Sequence, residues 1–341
     1  MRKINGVPVE AHTDLSSLTG GEVLKWDSTN TLMAWEDQDS TGFVPFHFHN
    51  ASVSGYSSGG RPSGYSDVIQ KYSFVSDADA TDVANLTVAR ELMGGSSSTT
   101  HGYAAGGKVS SYYNIIDKFS FSAGSNATNV GDLTVSRYRT AGQSSTDNGY
   151  TSGGWDGSAS NIIEKYSFSA DGNSTDVGDL SGNAVGRSQS AGQSSSTYGY
   201  NSSGYDGTDY LNIIDKFSFS SDGNATDVGD MTTASLAGAA GHSSSTHGYS
   251  SGGGGYDNRI NKFTFASDAS ATHVGYLNYS AYLIAGSSSS THGYSAGGYG
   301  PVGGSAGNVN FIDKFSFASD GNATDVGDLF ETTRYATGQQ Y

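Results

Sequence analysis

The chain has 341 residues, enough for one large domain or two ordinary ones, and carries a net charge of -16 with only 17 lysines plus arginines. That balance speaks against a nucleic-acid partner, since neutralising phosphates takes a dense basic face, and the lack of cysteine removes disulfides, zinc-thiolate sites and thiol nucleophiles. Forty-nine glycines would suit a disordered chain, but 22 tyrosines and 15 phenylalanines beside only 4 prolines supply apolar bodies that disorder lacks.

Residues 1–42 stand apart from the rest. The opening "MRKINGVPVE" has basic residues with no apolar run behind them, so no secretory signal is read, and nothing approaches a membrane span. "EVLKWDSTNTLMAWED" has two short apolar runs around the polar turn "DSTN", which predicts a hairpin carrying Trp26 and Trp35. A lone hairpin is not stable, so these rings are expected to pack on the propeller or on another protein, and residues 1–42 read as an anchor segment.

From residue 43 onward the chain repeats. An aromatic-lysine core recurs six times, as in "IEKYSF" and "IDKFSF", with Lys71, Lys118, Lys165, Lys216, Lys262 and Lys314 spaced 46 to 52 residues apart. Before each core stands a Gly-Tyr and small-residue stretch such as "GYTSGG". In residues 137–183 four strands are predicted: a, "RYRTAGQSS"; b, "NGYTSGG"; c, "NIIEKYSFS"; d, "STDVGDL". Strand c alternates Glu164, Tyr166 and Phe168 with Ile163, Lys165 and Ser167, the period of a sheet. Six four-stranded units predict an all-β fold, a six-bladed β-propeller over residues 43–341. The C-terminal "RYATGQQY", 334–341, reads as a strand a with nothing behind it, and is expected to complete the first blade; "FVPFHFHN", 43–50, is the competing choice.

The order Arg137, Tyr150, Gly153, Gly154, "IIEKYSF" resembles the kelch repeat, although valines such as Val177 and Val228 stand where kelch units carry a strand d tryptophan. The segment "GGEVLKWDSTN" resembles segments of bacteriophage tail-fibre proteins, and "NIIDKFSFSSDGNATDVGDL" resembles propeller-like virion proteins of marine phages. These resemblances imply a kelch-like propeller on a virion, joined to other virion proteins through its N-terminal segment and contacting a host glycan. The alternative they leave is a purely structural virion component, a capsid decoration or tail adapter.

Candidate sites follow from the loops. The b-to-c loops vary in length and carry Tyr65, Tyr112, Tyr113, Trp155, Tyr205, Tyr210, Tyr256 and Tyr299, rings that suit the apolar faces of sugars. Arg90, Arg137 and Arg187, with Arg334, recur at the predicted start of strand a and offer bidentate grips for a carboxylate or sulfate. His101, His247 and His292 share one repeat position without a fixed carboxylate partner, which favours a turn role over a metal site. His47 and His49 stand at strand spacing.

Enzymatic readings find little support. The copper chemistry of kelch-like galactose oxidase needs a cysteine, and "SADGNSTD" only approximates the sialidase Asp-box "SxDxGxTW". No cofactor is called for. The acidic loops such as "SSDGNATDVGD", 220–230, do not keep one ligand set from copy to copy, so they read as c-to-d turns on the quiet face rather than calcium sites.

Overall fold

A strand with large side chains on both faces must be covered on both, and strand c of each repeat is such a strand. In the computed structural model the described residues are 53–181, 186–234, 236–302 and 305–340, together with the backbone of four short strands before residue 50. Two compact units are present, Met1–His49 and Asn50–Tyr341. In the first, Val23–Asp27 pairs antiparallel with Leu32–Glu36, the hairpin expected there, with Trp26 opposite Met33 and Trp35 opposite Leu24. The side chains of Trp26 and Trp35, and residues 43–50 with His47 and His49, lie outside the described residues.

The second unit is a six-bladed β-propeller whose blades are antiparallel four-stranded sheets. Blade 3 shows the pattern: strand a is Ala141–Ser144, b Asn148–Ser152, c Ile162–Ser167 and d Thr175–Asp179. Blades 2, 4, 5 and 6 span 94–132, 191–230, 240–276 and 285–328. Blade 1 takes its strands b, c and d from Ser54–Ser58, Val68–Ser73 and Thr81–Asn85, and its strand a from Thr337–Gln340. Gln339 lies opposite Tyr56, so the C-terminal segment closes the ring.

Strand c explains how blades stack. Tyr166 and Phe168 pack with Tyr103, Ile116 and Leu133 of blade 2, whereas Ile163 packs with Phe217 and Ala225 of blade 4. The Gly-Tyr doublet of strand b serves both neighbours. Gly149 lies opposite Tyr166, and a Cβ there would fall inside that ring. Tyr150 instead reaches forward and stacks on Phe219 of the next blade. The same Tyr-Phe stack occurs between every pair of neighbouring blades, with centroids 4.2 to 4.8 Å apart. Each adds on the order of 1 kcal/mol to the burial of the rings.

At the axis the strands a approach each other closely. The second residue of each is glycine: Gly95, Gly142, Gly192, Gly241, Gly286 and Gly338. A Cβ on any of them would overlap the carbonyl oxygen of the equivalent glycine in the preceding blade, all the way round the ring. No other residue fits that approach.

At the rim the c-to-d turns hold the blades together. The amide of Ala225 donates to the Asp179 carbonyl of the preceding blade, and Ala80, Ala127, Ser174, Ala271 and Ala323 repeat the bond, closing a belt at 2.7–2.9 Å. In the same turn Asn224 Oδ1 accepts from the Asp179 amide at 3.0 Å, and Asp222 accepts from Lys165 at 2.6 Å. The acidic loop is thus a turn, as expected, and also a clamp between blades. Five strand-c lysines make such a bridge. Lys71 does not, because Gly124 stands where its aspartate would be, and its ammonium lies over the Tyr56 ring at 5.7 Å. With half-exposed aspartates these bridges contribute little each, roughly 0–1 kcal/mol.

The axial constraint is open to a direct test. Gly142→Ala is expected to cost about 3 kcal/mol or more, since backbone rather than a mobile side chain blocks the new methyl. Gly172→Ala, with nothing within 4 Å of its added Cβ, should leave the urea midpoint unchanged.

Candidate functional site

Ring closure puts the ends of strands b and d and the starts of strands a and c on one face, so d-to-a connections and b-to-c loops share it. Two residues before each strand a, the backbone turns into the left-handed region. Leu92, Arg139, Gln189, Leu283 and Tyr335 do so with φ of 59–63°, and Gly238 with φ of 75°. Five non-glycine residues in this region cost on the order of 1 kcal/mol each.

A hydrogen-bond ring compensates. Each of the six amides donates to the carbonyl of its counterpart in the preceding blade, from Leu92 to Tyr335 and so on round to Arg139 to Leu92, at 2.6–3.1 Å. This crown frames an axial cavity of about 130 Å³, lined by Leu92, Arg139, Gln189, Gly238, Leu283 and Tyr335 with the first residues of the strands a. The backbone is sixfold; the side chains differ in almost every blade.

A second tier lies outside the crown. In blades 2, 3, 4 and 6 the residue before the crown position faces the residue that follows the small-residue doublet of strand b, through the bridges Glu91 to Lys108, Tyr138 to Trp155, Ser188 to Tyr205 and Tyr282 to Tyr299. In blade 1 the Arg61 amide donates to the Arg334 carbonyl at 2.8 Å. Blades 5, 6 and 1 gather Tyr256, Tyr282 and Tyr299, with ring centroids 5.6–6.5 Å apart, and the Arg334 guanidinium 4.6 Å from the Tyr299 centroid. Blades 2 and 3 gather Tyr112 and Tyr138, 4.9 Å apart, under Lys108. Burial raises the pKa of Glu91, and Arg61, Lys108, Arg334 and Arg139 oppose that shift.

The predicted aromatic residues all lie on this face, in separate groups. Tyr205 and Tyr210 form a pair 5.1 Å apart in blade 4. Tyr65 donates from its hydroxyl to the Val109 carbonyl at 3.0 Å. Tyr113 closes its loop by donating its backbone amide hydrogen to the Gly107 carbonyl at 2.9 Å. Trp155 is half-buried beside Gly207 of the next loop. Tyr65, Tyr210 and Tyr256 are the most exposed of the set.

The arginines require correction. Arg90, Arg137 and Arg187 are fully buried, because strand a begins four residues after each of them and the intervening turn sends their side chains into the blade. Arg90 donates to Asp117 Oδ2 at 2.8 Å and to the Gly106 and Ala104 carbonyls. Arg137 pairs with Glu164 and Arg187 with Asp215. Such groups cannot reach a surface ligand. Where the arginine is absent the acid changes too: Leu236 goes with Asn261, and Thr333 with Gln70. Arg334 is not their equivalent, since it stands three residues before its strand rather than four and so belongs to the outer tier.

Blade 6 breaks the exchange by keeping Asp313 with Ala281. Burial raises the Asp313 pKa to about 7, against the hydrogen bond from the Asn278 amide, which favours the ionised form. His101, His247 and His292 begin their strands b at the opposite face, each with Nδ1 2.8 Å from the neighbouring threonine hydroxyl. Among the described residues no group of three His, Asp or Glu is placed to hold a metal ion.

The residues missed from sequence are Arg61, Glu91, Lys108, Tyr138, Arg139, Tyr282 and Tyr335. Their signal was variation at the d-to-a positions, as in "REL", "RYR", "RSQ" and "TRY", and, for Arg61 and Lys108, at the start of the b-to-c loops. No protein-family model matches the chain, and no curated protein matches it either.

Asp313 generates a pH prediction. Its folded pKa lies above the unfolded value, so the unfolded chain sheds the proton first and stability is lost as pH rises from about 4 to about 7. Asp313→Asn should therefore raise the urea midpoint at pH 8, with the gain shrinking towards pH 4.5.

Proposed function

We propose that the propeller is the host-attachment module of a phage virion protein, a kelch-like ring that presents its b-to-c and d-to-a face to a glycan on the host envelope. One observation carries this reading: the side chains that differ between blades, and the aromatic ones among them, collect on a single face, while the opposite face repeats the same turns. A scaffold alone has no use for that asymmetry. Tyrosine and tryptophan beside Asp, Asn and Gly match the alternating apolar faces and hydroxyl edges of sugars.

The virion assignment rests on the tail-fibre-like segment "GGEVLKWDSTN" and the phage-like repeat. In this reading the segment carrying Trp26 and Trp35 binds other virion proteins and the propeller is a binding domain, not a catalyst. Weak affinity per site suffices, because many copies on one particle raise avidity by orders of magnitude.

A glycan array probed with the purified chain should return hits, and Trp155→Ala with Tyr205→Ala should weaken them about tenfold, a loss of about 1.4 kcal/mol. An empty array, with particle adsorption untouched by the two substitutions, would instead favour the capsid-decoration or tail-adapter role.

A further inference from the structure

Positive charge is distributed unevenly over the propeller. Nine cations are matched to carboxylates at 2.8 Å or less: the three buried arginines, five strand-c lysines, and Arg259 with Asp257. Lys71 lies over Tyr56 at the far rim. The other described cations are Arg61, Lys108, Arg139 and Arg334, and all four surround Glu91 on the face of the crown. In a chain of net charge -16, a local excess of three positive charges is a departure that folding does not require.

Their contacts leave donors unused. Each cation stands over a tyrosine: Arg61 5.0 Å from the Tyr65 centroid, Lys108 4.9 Å from Tyr138, Arg139 5.1 Å from Tyr138 and Arg334 4.6 Å from Tyr299. A cation-π contact fixes the position of the charge without consuming the N–H groups at its edge. Nε of Arg139 and Nε of Arg334 are buried without a hydrogen-bond partner. So is Oε2 of Glu91, whose side chain is only 5% exposed and whose ion pair, with Arg61, is long at 3.6 Å. The two unpaired Nε donors lie on the crown face, with Arg139 lining the axial cavity, where an anionic acceptor would complete them.

We propose that this cluster is an anion subsite that takes the carboxylate or sulfate of an acidic sugar residue. Arg139 and Arg334 supply fork-shaped donors, Lys108 a further charge, and the flanking tyrosines the apolar surface for the sugar ring. Glu91, paired with Arg61, holds the cluster together and leaves it net positive. A neutral sugar would leave those charges uncompensated, so the subsite selects for uronates or sulfated sugars. The inference rests on the reading of this face as a glycan receptor and specifies which glycans it takes.

The test is calorimetric titration of the full chain with alginate, which carries carboxylates, dextran sulfate, which carries sulfates, and neutral dextran. Binding of either acidic polymer, at least tenfold tighter than neutral dextran, is expected. Lys108→Gln should weaken it severalfold and Lys108→Gln with Arg139→Gln at least tenfold, while Lys165→Gln, a rim-clamp change on the opposite face, should not alter it. Thermal melts identify any misfolded double variant, in which case Lys108→Gln alone, at a half-buried side chain, decides. Equal binding of neutral and acidic polymers, or acidic-polymer binding indifferent to both variants, overturns the subsite and leaves the glycan-binding face intact. Binding of polyglutamate but of neither acidic polysaccharide overturns it in favour of an acidic protein segment. Failure of every polymer and every arrayed glycan removes the receptor reading itself.

Discussion

Six glycines meeting around an axis set the terms for the rest of this molecule. Because each strand a lies against the backbone of the one before it, a single added carbon on Gly95, Gly142, Gly192, Gly241, Gly286 or Gly338 has nowhere to go. That approach brings the crown amides within reach of the preceding blade, and at the rim it brings the c-to-d turns against the preceding strand d. Each blade thus donates to its predecessor at two radii, with a Tyr-Phe stack between them. A linear repeat array needs capping ends; here the C-terminal strand Thr337–Gln340 turns the array into a closed circle and no end remains.

A closed circle tolerates change unevenly. The central glycines and the stacked aromatics recur in every blade, because each is wedged between two neighbours. The buried charge positions are freer: Arg90 with Asp117, Arg137 with Glu164 and Arg187 with Asp215 are ion pairs, whereas blades 5 and 1 hold Leu236 with Asn261 and Thr333 with Gln70. Buried ion pairs and neutral pairs of similar size are close in free energy, since desolvation offsets the Coulomb gain. What does not work is half of a pair, and Asp313 meets that condition by moving its pKa towards neutrality.

The crown shows how a fixed backbone frees side chains to differ. Its hydrogen bonds run only through amides and carbonyls, so leucine, arginine, glutamine, glycine and tyrosine all serve. The same holds for the bridges in the tier outside it. Chemical variety therefore accumulates on this face without disturbing the ring, and among the described residues Arg61, Arg139, Arg334 and Lys108 come to surround one glutamate there.

Much of this was legible in the chain itself. The 46–52-residue spacing and the alternation in "IEKYSF" determined the blade number and the strand order, because strand periodicity and turn chemistry are local properties, while the orphan strand at the C-terminus favoured its closing the ring over residues 43–50. The b-to-c aromatics were likewise expected on the face that the d-to-a connections share, and they lie there. The arginines were not, since whether Arg137 points outward or inward depends on a left-handed turn at Arg139, and that turn exists only because the neighbouring blade offers a carbonyl. A one-residue offset before the last strand sent Arg334 the other way. Sequence by itself thus decided which strands form and how many blades they make, whereas the packing of blade on blade decided which charges are buried, which clamps hold the rim and which cations converge at the mouth.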